Sequence, residues 1–504
     1  MNKTFDEAIK NELDDVKTFT ENGAVAYATA GNALVDLNFA IASLRQKSAG
    51  EIEDMFIKAY CENPEYAVRW LFYLRDVRGA GQGERRSFRI CLKKLVELDQ
   101  KAVENLIPAV AEYGRFDDLY CLLGTPCEDA VIGYFDKTLT ADRAAMLAGR
   151  PCSLLAKWMK SPNTSSPESR AIAKKIYTAF GISEKAYRKL LSALRRHIDV
   201  VETRMSAKDW TGIDYQKVPS SANLRYAKAF LRNDETRRRE YLGSLDKGEV
   251  KINAATCFPS DIVHRYMGDN ANASVYENMW KALPSADFKK PCICVADTSG
   301  SMTWVTCDPK SGVQPYDVAC SLAIYCSEHM PEPFRNKCIT FESRPHYVDF
   351  SKCGTLGNKI RLFQATGFGG STNIEAVMKL ILNTAVKNGA KQEDIPNVCI
   401  LSDMEFDACV EGSGCAALFD DIRAKYNAAG YELPRVFFWN LASRTNGIPL
   451  KQSPNGVGLV SGFSQNTIKM LLSDKNSPWD ILKDMLDSER YARITAIAKG
   501  GQNS

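Results

Sequence analysis

Oxygen-bearing side chains in three separate segments carry the most specific chemistry in this sequence. Asp297-Thr298-Ser299-Gly300-Ser301 sets an Asp and two Ser at alternate positions, directly after the apolar run Cys292-Ile293-Cys294-Val295-Ala296. Such a run reads as a buried strand, so Asp297, Ser299 and Ser301 would present three hard oxygens at its carboxyl end. Gly369-Gly370-Ser371-Thr372 offers a further hydroxyl at Thr372, and Leu401-Ser402-Asp403 offers a second carboxylate, Asp403, at the end of another apolar run. Hard oxygens select a divalent cation, Mg²⁺ first, with Mn²⁺ or Ca²⁺ as alternatives. Few direct carboxylates would leave the ion with residual positive charge, able to take an acidic group from a partner. The alternative reading is local: a strand-end Asp capping the next helix, with the serines in a tight turn.

A second group of residues is basic. Residues 151–250 hold 20 Lys and Arg against 11 Asp and Glu, a net +9, whereas residues 1–150 carry −5 and residues 251–504 balance. On the helix expected around Tyr187 and Leu194, the polar side gathers Lys185, Arg188, Lys189, Arg195 and Arg196, and Arg204 follows. A ridge of this kind can contact phosphates. Interleaved Tyr187, Trp210, Tyr215 and Tyr226 suit the stacking of unpaired bases. The plainer reading is a solvated helix face whose aromatics lie in the core.

The elements that must position these groups divide the chain. Up to about residue 285 the apolar spacing is helical. Asn63-Pro64 reads as a helix start, and Phe88, Cys91, Leu92 and Leu95 form one stripe. A longer stripe runs through Tyr187, Leu190, Leu191, Leu194, Ile198 and Val201. Repeated amphipathic helices without a strict sequence period suggest a HEAT-like array. Beyond Leu283-Pro284-Ser285, strands are predicted at 291–296, 336–341, 345–349, 397–402, 434–440 and 457–461. They alternate with helices at 316–330, 355–364, 373–388, 415–428 and 464–474. That alternation predicts a mostly parallel sheet covered on both faces, with ligands at the carboxyl ends of its strands. The expected organisation is a helical repeat domain over 1–285, a doubly wound α/β domain over 286–480 and a C-terminal tail or helix over 481–504.

Several classes fall away. The polar, acidic N-terminus is not a signal peptide, and no apolar run nears the ~18 residues of a membrane span. The 16 Cys show no C-x-x-C pair, which suits reduced thiols in a cytoplasmic protein. Gly367-Phe368-Gly369-Gly370-Ser371-Thr372 lacks the Lys of a phosphate-binding loop, and there is no H-E-x-x-H. The four His are read as structural. No general base or nucleophile accompanies the oxygen cluster, so no enzymatic activity is expected.

The D-x-S-x-S pattern with Thr372 and Asp403 resembles the metal-ion-dependent adhesion site (MIDAS) of von Willebrand factor A domains. One departure is Ser402-Asp403-Met404, where that family usually has Thr-Asp-Gly. A helical region joined to such a domain looks like the TROVE-domain proteins, the Ro autoantigen and its bacterial relatives. The phrases Phe72-Tyr73-Leu74-Arg75-Asp76-Val77-Arg78-Gly79, Gly83-Glu84-Arg85-Arg86 and Tyr113-Gly114-Arg115-Phe116-Asp117-Asp118-Leu119 carry the likeness. Arg188-Lys189-Leu190-Leu191-Ser192-Ala193-Leu194-Arg195, Asp199-Val200-Val201-Glu202 and Val218-Pro219-Ser220 are similar to a TROVE-like branch of bacteria, phages and plants, known as a domain of unknown function. The resemblance implies a ribonucleoprotein component that binds small noncoding RNA or single-stranded RNA ends. It transfers no individual RNA contacts. The competing expectation is a scaffold that captures an acidic protein ligand through its metal.

Overall fold

The computed structural model describes residues 17–501, except 24, 289, 308–310, 342–343, 368, 370–371, 407–414, 446 and 450–455. The chain forms two compact units, and neither is continuous in sequence. One comprises the described residues up to Ala67 together with Ala254–Ser488; the other comprises Val68–Asn253 and the described residues from Glu489 onward. This differs from the division expected at 285 and 480. The described residues up to Ala67 pack with the sheet, and the helix Glu489–Ala498 packs with the helical unit.

The sheet unit opens with a short antiparallel pair, β1 (Lys17–Phe19) and β2 (Val25–Tyr27). Its main sheet holds β3 (Cys292–Asp297), β4 (Lys337–Phe341), β5 (His346–Asp349), β6 (Asn397–Ser402), β7 (Val436–Asn440) and β8 (Val457–Ser461). The strand order is β5-β4-β3-β6-β7-β8, all parallel except β5, which pairs antiparallel with β4 at one edge. Parallel strands covered on both faces need apolar side chains on both, and β3 and β7 are buried along their whole length. The edge strand β5 instead exposes His346, Tyr347 and Asp349. The observed strands match the predicted ones to within two residues. The predicted helix at 464–474 contracts to a turn at Gln465–Thr467 and the single turn Ile468–Leu471.

Two features aim this unit at one rim. The order reverses between β3 and β6, and that crevice lies at the carboxyl ends of both strands. The N-terminal segment packs against the carboxyl ends of β7 and β8. Asn32 caps the helix Ala33–Phe39 by accepting from the Val35 N–H at 2.9 Å. The Asn440 side chain donates to the Phe39 carbonyl at 2.8 Å, and the Ser461 hydroxyl accepts from the Ala42 N–H at 3.0 Å. Tyr27 and Ile448 exchange backbone hydrogen bonds of 2.9 and 2.8 Å.

In the helical unit no strand occurs among the described residues. Helices Arg86–Leu98, Gln100–Tyr113, Glu128–Leu147 and Pro167–Ala179 lead to Glu184–Ile198, and Ser220–Asn233 and Glu235–Asp246 follow. The phrases around Arg75, Arg85 and Asp118 meet in an ionic knot. Arg75, only 2% exposed at its side chain, donates to Asp118 at 2.8 Å, and Arg89 donates to the other Asp118 oxygen at 2.8 Å. Arg85 pairs with Asp117. The C-terminal helix Glu489–Ala498 joins the same core: Arg490 donates to Asp76 at 2.7 Å, and the Tyr491 hydroxyl donates to Asp76 at 2.9 Å.

Candidate metal centre and nucleic-acid interface

Asp297 ends β3 and Asp403 follows β6, so the parallel register brings both to the crevice; both carboxylates are fully buried. One Asp297 oxygen accepts from the Ser299 N–H at 2.8 Å, and the other accepts from the Ser402 hydroxyl at 2.6 Å. The Ser299 and Ser301 hydroxyls stand 3.0 Å apart. The loop bearing Thr372 is stitched to this turn. The Gly300 N–H donates to the Gly369 carbonyl at 3.0 Å, and the Gly369 N–H donates to the Thr298 carbonyl at 3.2 Å. Thr372 itself is buried. Three segments far apart in sequence thus converge on one rim; Gly370 and Ser371, quoted with Thr372, lie outside the described residues.

The electrostatics suit a cation. Burial and the neighbouring Asp403 charge push the Asp297 carboxyl up to about 7, against the hydrogen bonds from Ser402 and Ser299. Burial also raises Asp403, which the Arg444 charge and a Ser301 hydrogen bond oppose. Two buried carboxylates that resist joint ionisation, beside two hydroxyls, form a hard-oxygen donor set that fits a divalent ion. Among the described residues, no three His, Cys, Asp or Glu gather as metal ligands, so a site here rests on hydroxyl oxygens as much as on carboxylates.

Sequence reasoning missed three neighbours. Ser402 holds Asp297. Arg444 donates to Asp403 at 3.3 Å and to Glu21 at 2.7 Å. Buried Glu405 accepts the backbone N–H groups of Glu21 and Arg444, both at 2.8 Å, and so ties the N-terminal segment to this rim. Contacts across nearly 400 residues leave no periodic trace. Met404, where the A-domain pattern usually has Gly, adopts φ +66. A left-handed non-glycine residue costs ~1–2 kcal/mol, and here its N–H reaches the Ser402 hydroxyl at 3.0 Å.

The basic candidates separate into two kinds. Ser183 caps the helix Glu184–Ile198, which buries Tyr187, Leu191 and Leu194 and exposes Lys185, Arg188, Lys189 and Arg196. Arg195 does not join that ridge. Its guanidinium donates to the Ala156 carbonyl at 2.8 Å, the Ser161 hydroxyl at 2.8 Å and the Met159 carbonyl at 2.7 Å. Arg204 is also engaged, gripping Asp199 through bonds of 2.6 and 2.9 Å and Asp209 through one of 2.8 Å. The expected long stripe breaks at Asp199, whose φ of +54 ends the helix. Lys185, Arg188 and Lys189 border a cleft of about 810 Å³, open beside Ser161 and Asn163.

The aromatic expectation needs correction as well. Tyr187 and Tyr215 are buried, and Tyr215 packs on Phe230 and Tyr241 around the fully buried Arg238. These rings cannot stack on a base. Tyr226 remains partly exposed.

Residues 291–493 match a family model described as a domain of unknown function (DUF7788), and residues 20–110 and 136–288 match a second, also described as a domain of unknown function (DUF2828). The chain is 29% identical to an uncharacterized protein of Acanthamoeba polyphaga mimivirus over 520 aligned positions, covering 93% of this chain and 87% of the relative. Among solved structures it is similar to the Ro (RSR) protein of Deinococcus radiodurans, at 14% identity and a TM-score of 0.45 over 90% of this chain and 94% of that one. The two family models meet where the sheet begins, between residues 288 and 291.

Proposed function

We propose that this protein is a non-enzymatic, Ro-like RNA-binding component of a ribonucleoprotein, with a HEAT-like helical unit that holds small or single-stranded RNA and a von Willebrand A-type sheet unit with a MIDAS-type site for a divalent cation. The carrying observation is the exposed face of Lys185, Arg188, Lys189 and Arg196 beside an open cleft, on a segment whose charge stands at +9. Cations in this arrangement neutralise phosphates without reading sequence. Likeness of the phrases around Arg75, Arg85 and Asp118 to TROVE-like proteins supports the same reading.

In the sheet unit, Asp297, Ser299, Ser301, Thr372 and Asp403 would hold the ion, Mg²⁺ in first place, with Ser402 and Arg444 orienting the two carboxylates. Once bound, the cation would supply a positive point able to take an acidic oxygen. No helix among the described residues is long and apolar enough to cross a membrane, which suits a cytoplasmic setting. A filter-binding titration with single-stranded RNA at two salt concentrations tests the reading: binding that weakens steeply with salt supports it, and no binding at low salt refutes it. The scaffold alternative predicts partner capture that EDTA abolishes and RNase does not.

A further inference from the structure

A second cleft, of about 640 Å³, opens in the helical unit and is lined by Arg115, Trp158, Lys157, Arg225 and Tyr226. That volume lies in the range of ligand pockets, ~300–1,000 Å³. Its charge is one-sided. Arg115, Lys157, Arg195 and Arg225 line it, with Glu202 as the facing carboxylate, 3.2 Å from Lys157. Arg195 is hydrogen-bonded only to neutral oxygens among the described residues, so its charge is not cancelled. Arg115 forms no ion pair among the described residues, because the nearby Asp117 and Asp118 are shared by Arg75, Arg85 and Arg89. Burial and the charges of Arg75 and Arg85 lower its pKa, and the charges of Asp117 and Asp118 oppose that shift.

Flat surfaces line the same space. The Arg115 guanidinium lies over Trp158, 5.0 Å from the ring centre, and Arg225 stands 6.0 Å from the centre of the partly exposed Tyr226 ring. Aromatic rings and guanidinium planes are the surfaces on which unpaired bases stack. The cleft also shares Arg195 and Thr203 with the larger cleft beside Lys185, Arg188 and Lys189. A strand held by its phosphates along the larger cleft therefore leads into the smaller one.

Resting on the RNA-binding reading, we infer that this cleft takes an unpaired nucleotide of single-stranded RNA, its base packed against Tyr226 and the Trp158-backed Arg115 and its phosphate drawn by Arg225 and Lys157. A base inside a duplex cannot enter, since its faces are already stacked. The cleft would thus select single strands, while the exposed ridge binds phosphates of any RNA.

The test uses the full chain, a short single-stranded RNA carrying 2-aminopurine, and a blunt duplex of the same sequence. Wild type and Tyr226→Phe should quench the fluorophore on binding. Tyr226→Leu and Arg115→Gln should abolish the quenching, and Tyr226→Leu should weaken single-strand affinity about 5- to 150-fold, the loss expected for one stacked base. Duplex affinity should not change with Tyr226→Leu. Melting curves confirm that each variant is folded, and the exposed Arg225→Gln gives an independent probe, expected to weaken single-strand binding. Salt-dependent single-strand binding that none of these variants alters would overturn the inference and leave the RNA reading standing. Failure of wild type to bind single-stranded RNA at low salt would overturn both.

Discussion

The exposed ridge makes a quantitative prediction about salt. Of the six basic residues singled out in the sequence, four are fully exposed: Lys185, Arg188, Lys189 and Arg196. Arg195 and Arg204 spend their donors on the protein. Each phosphate neutralised on a single strand contributes about −0.7 to the slope of log affinity against log salt. Four contacts give a slope of about −2.8, or about 50-fold weaker binding between about 50 and about 200 mM salt. Changing all four residues to Gln should remove that part of the slope and leave only what other cations supply. Arg204→Gln should leave the slope as it was. Fluorescence anisotropy with a labelled single strand across a salt series measures both. An unchanged slope in the fourfold variant would refute this face as the RNA surface, and a slope loss of about 0.7 in Arg204→Gln would refute its assignment as an internal clamp.

Three other outcomes follow from the contacts described. Asp118→Ala should destabilise the helical unit by about 3–5 kcal/mol, because it strands the buried Arg75 without a counter-charge; hydrogen exchange in the helices around residues 68–113 would report it, and unchanged protection would contradict the ionic knot. The hydrogen bond of 2.7 Å to Asp317 raises the His264 pKa above its ordinary value. Folding then binds a proton more tightly, so this stabilisation is complete below the unfolded His pKa of about 6.5 and is lost as pH rises through the higher folded value; His264→Gln should flatten that part of the melting-temperature profile, and an identical profile would exclude the pair as its source. Mg²⁺ should raise the melting temperature of the wild type, by about 2.7 kcal/mol of stability at 100 times its Kd, but not that of Asp297→Ala; equal shifts in both would refute the site.

What the sequence revealed depended on how local the signal was. The two acidic strand ends could be read because β3 and β6 are continuous apolar runs, and a parallel sheet puts the carboxyl ends of adjacent strands together. Helical periodicity showed which side of Glu184–Ile198 faces inward, since that depends only on 3.6-residue spacing. It could not show that Arg195 would find the carbonyls of Ala156 and Met159, more than 35 residues earlier and off the helix. Nor could it show that Tyr215 would join a core around Arg238, because an aromatic residue in a basic segment looks the same whether it is buried or exposed. Arg444 and Glu21 escaped notice for a similar reason: both lie in loops, and their pairing at the rim follows from the fold rather than from any spacing.

The interleaving of the two units has a consequence for how the polypeptide must acquire its shape during synthesis. The described residues up to Ala67 belong beside a sheet whose strands are not made until some 200 residues later, and the helical core waits for Arg490 and Tyr491, the partners of Asp76, which follow it far along the chain. Neither unit is complete until segments distant in sequence have been made, so the helix Glu489–Ala498 acts as a fastener of the helical unit. A fragment cut at residue 285 would leave one body without its clasp and the other without its opening strands.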